Sequence, residues 1–133
     1  MRNRQIDSSL TRWHVFDDAA AVAVQAAQRI LHAASEAIDE RGLFRIVLAG
    51  GRTPEAAYRL LLDADTDWSR WEVYFGDERC LPVDDEQRNS LMAARALLDS
   101  VAVPAGNIHP IPAELGAEAA ARNYEPLVRA ALP

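Results

Sequence analysis

A stretch rich in large apolar and β-branched residues occupies positions 43–49 and leads into Gly50 and Gly51, followed at once by Arg52, Thr53 and Pro54. The run has no polar–apolar alternation, which suits a strand buried on both faces of a parallel sheet. Paired glycines open backbone angles closed to other residues and let a ligand approach the main chain. Thr53 can cap a following helix, and Pro54 fits the first helical turn, where a missing N–H costs nothing. A strand, a glycine turn and a helix start together aim unpaired amides and a helix dipole at one place. The ligand this predicts is a phosphorylated small molecule.

The rest of the chain alternates in the same manner. Residues 1–10 are polar and are expected to fray, and residues 12–16 read as a short strand. From Asp17 an apolar stripe runs through Ala20, Ala23, Val24, Ala27, Ile30, Leu31, Ala34 and Ile38 until Gly42 closes the helix. A helix over 54–62, a loop over 63–69 and a strand over 71–75 follow, then a charged loop to Gln87 containing Pro82. A helix is expected over 89–98, a short strand over 108–111, and a final helix over 115–132 that Pro126 should kink or interrupt. This order predicts an α/β fold: a parallel-sheet, Rossmann-like three-layer sandwich with helices on both faces. At 133 residues, half of them hydrophobic, one domain spanning 1–133 is expected.

Bulk properties exclude several function classes. A net charge of −6 argues against general affinity for nucleic acid or acidic membranes. No apolar run approaches the ~20 residues of a membrane span, and the first residues lack the apolar core of a signal peptide. A single cysteine, Cys80, rules out an internal disulfide and agrees with a cytoplasmic setting. All 14 basic residues are arginine, so no lysine of this chain can form a Schiff base. Asp84 and Asp85 lack ligand-like spacing, and no metal or organic cofactor is expected.

In open parallel sheets ligands sit beyond the carboxyl ends of the strands, so the loops after residues 49 and 75 should meet. The second of these reads Gly76, Asp77, Glu78, Arg79, Cys80. Arg79 can grip a phosphate or carboxylate with two parallel N–H groups. Asp77 and Glu78 can accept sugar hydroxyls or hold arginines in place. Taken alone, this loop reads equally well as a solvated charged turn. Cys80 is expected to be an inert, partly buried thiol, and His14, His32 and His109 to be structural or surface residues. Trp68, Trp71, Tyr74 and Phe75 read as sheet and core packing.

Taken in order, Gly50-Gly51-Arg52-Thr53-Pro54, Trp68-Ser69-Arg70-Trp71, Asp77-Glu78-Arg79 and Asn89 resemble the 6-phosphogluconolactonases. The resemblance runs from about Trp13 to the last residue. It implies hydrolysis of 6-phosphogluconolactone to 6-phosphogluconate in the pentose phosphate pathway, with a phosphorylated sugar lactone as the small-molecule partner. Carried across by position, Gly50, Gly51, Arg52 and Thr53 would form the phosphate loop. Arg79 would face the substrate, and Asp77 and Glu78 would organise that edge of the pocket. Asn89 falls where the family commonly has a Ser-Asn pair, although a helix N-cap explains it nearly as well. Here its predecessor is Arg88, to which no role is assigned.

The family's second half carries a Gly-x-Asp-Gly-His segment whose histidine is taken as the catalytic base. None of His14, His32 or His109 occupies such a motif, and the chain ends at Pro133. The sequence is therefore expected to be the N-terminal half of a lactonase, its sheet incomplete at the C-terminus and its catalytic histidine beyond residue 133. An exposed sheet edge and uncovered apolar faces predict self-association of this length. The nearest alternative is a glucosamine-6-phosphate deaminase/isomerase, which resembles this chain through the glycine loop but typically carries Asp-Glu-Tyr at residues 77–79. A non-catalytic sugar-phosphate sensor is a further alternative; regulators of that kind carry a DNA-binding helix-turn-helix ahead of the sensor, and the eleven residues before the first expected strand are too few to form one.

Overall fold

The computed structural model describes residues 4–8 and 11–132. Its centre is a parallel pair, β3 (Phe44–Leu48) and β4 (Trp71–Phe75), in register from Phe44 opposite Trp71 to Leu48 opposite Phe75. Residues 44, 46 and 48 share one face with Trp71, Val73 and Phe75, because strand side chains alternate. That face meets α1 (Ala19–Arg41), α2 (Arg52–Arg59) and α3 (Asn89–Ala96) in one core containing Ala34, Leu61, Ala93 and Leu97. Trp71 and Leu61 are each 1% exposed, and a large apolar side chain buried to this degree contributes about 1.5–3 kcal/mol. The other face of β3 carries Arg45 and Val47, both exposed, so the strand expected to be buried on both faces is buried on one.

The first long helix forms for local reasons that the sequence announces. Asp18 caps α1 by accepting from the Ala21 amide at 2.8 Å, and Gly42 ends it in the left-handed region at φ 74°. Alanines 21, 23, 27, 34 and 37 are its buried residues, so the helix approaches α2 and β3 closely.

Besides the burial of β3, four further expectations need correction. Residues 4–8 do not fray: they form β1 (Arg4–Ser8), paired antiparallel with β2 (Thr11–Val15) in a separate two-stranded sheet. The remainder of residues 1–10 lies outside the described residues. Only one bridge, Val73 to Ile108, forms where a strand over 108–111 was expected. His109 donates to the Val73 carbonyl at 2.8 Å, but there the ladder stops. The hydroxyl of Tyr124 enters it, accepting from the Phe75 amide at 3.0 Å and donating to the His109 carbonyl at 2.7 Å. Pro110 supplies no further amide.

That tyrosine belongs to α4 (Ala117–Ala131), which runs through Pro126 without interruption. Proline removes one hydrogen bond, to the carbonyl of Arg122, and both residues lie on the exposed side, while Ala120 and Tyr124 are buried. Finally, Thr53 does not cap α2. The capping position is Gly51, whose φ of 105° is one that L side chains rarely adopt.

Candidate functional site

The turn after β3 is pinned from the helix it leads into. The Tyr58 hydroxyl, two turns along α2, accepts from the Ala49 amide at 2.8 Å and donates to its carbonyl at 3.0 Å. Both polar groups of the residue that follows β3 are thereby satisfied, and the chain turns at Gly50 and Gly51. No side chain caps α2, so the first-turn amides of Arg52 and Thr53 have no capping side-chain acceptor. Arg52 is exposed, and its guanidinium makes no ion pair or hydrogen bond among the described residues.

The loop after β4 is organised by a carboxylate. Glu78 Oε1 accepts from the Arg79 amide at 2.8 Å and the Asn89 amide at 2.6 Å, and Oε2 from the Ser90 amide at 2.8 Å. It thus caps α3 from another segment, and the N-cap role weighed for Asn89 is taken over: Asn89 is the first helical residue. The Glu78 side chain is 1% exposed. Burial alone would raise its pKa, but the bonds from Arg79, Ser90 and Asn89 outweigh it and hold the carboxyl below its ordinary value. All of its hydrogen-bonding capacity is directed inward, so Glu78 builds the loop.

Asn89 joins the two loops. Its Nδ2 donates to the Asp77 carbonyl at 3.2 Å and to Asp77 Oδ1 at 3.3 Å. Its side chain lies directly against Gly50, where a Cβ would overlap Oδ1 and come within 2.6 Å of Cγ. The loops expected to meet do meet, through this contact. Arg79 extends from the assembly into solvent with no side-chain partner among the described residues. Two unpaired guanidiniums, Arg52 and Arg79, thus leave the same carboxyl edge of the parallel pair.

Sequence reasoning passed over Arg88, which is the most connected polar group near the site. Its guanidinium is 1% exposed and meets Glu78 Oε2 at 3.4 Å, Glu114 Oε2 at 3.1 Å and the carbonyls of Leu81 and Ile111 at 3.1 Å each. The signal available was the departure at Arg88 from the Ser-Asn pair common in the family.

Cys80 is exposed rather than partly buried, because the loop ends its inward run at Glu78. A cavity of about 570 Å³ opens beside it, lined by Gly76, Glu78, Cys80, Tyr124 and Arg129 among others. A second, of about 590 Å³, is mainly apolar and lies behind Arg88 against Leu91, Leu98 and Ile108, away from the glycine turn. Tyr74 stacks on His109 at 4.7 Å, and Trp68 and Phe44 flank Trp71, so the aromatics expected to pack do so. No cluster of metal-ligating side chains occurs among the described residues, and no helix among them is long and apolar enough to cross a membrane.

Fold and site together define an α/β protein with a glycine turn and a charged loop meeting at the carboxyl edge of a parallel sheet. The chain belongs to the family of glucosamine-6-phosphate isomerases/6-phosphogluconolactonase, which it matches over residues 17–133. It is 42% identical over 92 residues to a 6-phosphogluconolactonase of Synechocystis, covering 68% of this chain and 38% of that protein. To the 6-phosphogluconolactonase of Mycobacterium leprae it is 37% identical over 126 residues, covering 87% of this chain and 50% of the relative. The crystal structure of 6-phosphogluconolactonase from Thermotoga maritima superposes with a TM-score of 0.78 at 29% identity, covering 87% of this chain and 52% of that one. The chain therefore spans about half the length, or less, of the relatives it matches.

Proposed function

We propose that this chain supplies the sugar-phosphate-binding part of a 6-phosphogluconolactonase, the enzyme that opens 6-phosphogluconolactone to 6-phosphogluconate. The observation that carries the reading is the junction of Gly50 with Asn89, which sets the glycine turn beside the loop bearing Arg79. In this reading residues 1–133 act as one sugar-phosphate-binding domain. The amides of the turn at Gly50, Gly51, Arg52 and Thr53 hold the phosphate together with the guanidiniums of Arg52 and Arg79, because dipole and charge both favour an anion there. Asp77, fixed by Asn89, orients sugar hydroxyls, while Glu78 keeps the loop in shape. Holding the ring in one pose is what makes attack of an activated water on the lactone carbonyl efficient. The base is assigned to a histidine outside these 133 residues. A cytoplasmic setting suits the single free thiol of Cys80, and the net charge of −6 fits neither nucleic acid nor an acidic membrane as partner.

The test is acid release from 6-phosphogluconolactone, measured against spontaneous hydrolysis, for this chain alone and with the remaining half of a relative added in trans. Turnover that disappears in Arg79→Ala supports the reading. Ammonia release from glucosamine 6-phosphate, with no lactone hydrolysis, would replace it with the isomerase branch of the family.

A further inference from the structure

We propose that Arg88 is a positioning residue: its buried guanidinium, acting through Glu78, fixes Arg79 and Asn89 against the glycine turn before substrate arrives. The proposal rests on the sugar-phosphate reading given above and adds to it the residue that sets the geometry of the site. Arg88 is held by two separate segments, through the Leu81 carbonyl on one and the Ile111 carbonyl and Glu114 carboxylate on the other, so it cannot follow a displaced partner. From that fixed point its Nε meets Glu78 Oε2 and sets the rotation of the carboxylate. That carboxylate receives the amides of Arg79, Asn89 and Ser90. The backbone position of Arg79 and the start of α3 therefore follow from where Arg88 stands. Asn89 carries the same placement to Gly50.

A lysine at this position keeps the charge but has no planar fork, and it cannot reach Glu78, Glu114 and two carbonyls at once. This makes Arg88→Lys the informative variant, with Arg88→Met as the full deletion and the exposed Arg95→Lys as control. Amide resonances of Gly50, Arg79 and Asn89 are read in isotope-labelled protein, first without ligand and then during titration with 6-phosphogluconate. We expect Arg88→Lys to melt cooperatively, to move those three amides, and to weaken 6-phosphogluconate binding by at least about fivefold, the scale of one lost hydrogen bond. Arg95→Lys should do neither. A variant that only melts earlier, with the dissociation constant of the folded protein unchanged, overturns the proposal, as does one whose three amides stay in place. If the unmutated chain does not respond to 6-phosphogluconate, the ligand reading fails, and the ligand-free resonances alone then decide whether Arg88 sets the loops.

Discussion

The side chain of Asn89 fills the space that a side chain on Gly50 would need. Contact between a strand-end glycine and the first residue of a distant helix is what makes two loops into one site. Gly50→Ala should therefore displace Asn89 and its bonds to Asp77. Overpacking of this kind costs about 1–3 kcal/mol. A lowered urea midpoint together with weakened 6-phosphogluconate binding is the expected outcome, and wild-type binding in a stable variant would show the contact to be incidental.

Removing the charge of Glu78 tests the other side of the junction. Glu78→Gln leaves the buried Arg88 without its ionised partner there, and breaking a buried pair costs about 3–5 kcal/mol. The pH dependence has a definite sign. Because the folded carboxyl titrates below its ordinary value of 4.5, its stabilisation is present above that value and is lost as pH falls through the folded pKa. Urea midpoints recorded on acidification should fall steeply in the parent and less steeply in Glu78→Gln. Parallel curves would contradict this.

At the alkaline end Tyr58 gives the opposite signature. Burial raises its pKa and outweighs the lowering effect of the Ala49 backbone bond, leaving it above 10.0. Its contribution is thus complete below pH 10.0 and declines as pH rises through the folded value. Tyr58→Phe orphans both polar groups of Ala49 and should cost about 1–3 kcal/mol at neutral pH. Thermal melts of the pair, repeated above pH 10.0, would show the difference between them shrinking.

Arg79 separates binding from stability. Exposed and without a side-chain partner, it should be replaceable by alanine within about 0.5 kcal/mol of the parent stability. The same change should weaken sugar-phosphate binding by about tenfold, the loss of one charge-assisted contact. Calorimetric titration with 6-phosphogluconate measures this, and an unchanged dissociation constant would remove Arg79 from the site.

The open face of β3 predicts behaviour in concentrated solution. Val47 is 57% exposed on a strand whose outer edge is unpaired among the described residues. Such an edge favours pairing between copies. Sedimentation velocity should show self-association that Val47→Glu reduces, whereas a monomer at all concentrations would count against it.

Elements whose signals are local were legible in the residues themselves. The stripe between Asp18 and Gly42, the unalternating run before Gly50 and the aromatic strand Trp71–Phe75 each carry their own period and punctuation. What escaped was set by contacts distant in sequence. β1 is polar and exists through its pairing with β2. The expected strand after Pro104 is cut short by a hydroxyl from Tyr124, and Pro126 is tolerated because it points away from the packed side of its helix. In the candidate site, the pattern of residues singled out Gly50, whereas Asp77 and Arg79 were favoured, and Asn89 found, through the family resemblance. Arg88 was not, because its worth comes from Glu78 ten residues before it and Glu114 far beyond.

Two helices begin at this carboxyl edge, and they have been treated differently. The start of α3 is neutralised from within by the carboxylate of Glu78, whereas that of α2 is turned by glycine and receives no side-chain cap. A phosphate bound as proposed would meet competition at one helix and none from a capping side chain at the other. In the proposed reading an anion is thereby directed to the start of α2, because the start of α3 already holds a carboxylate.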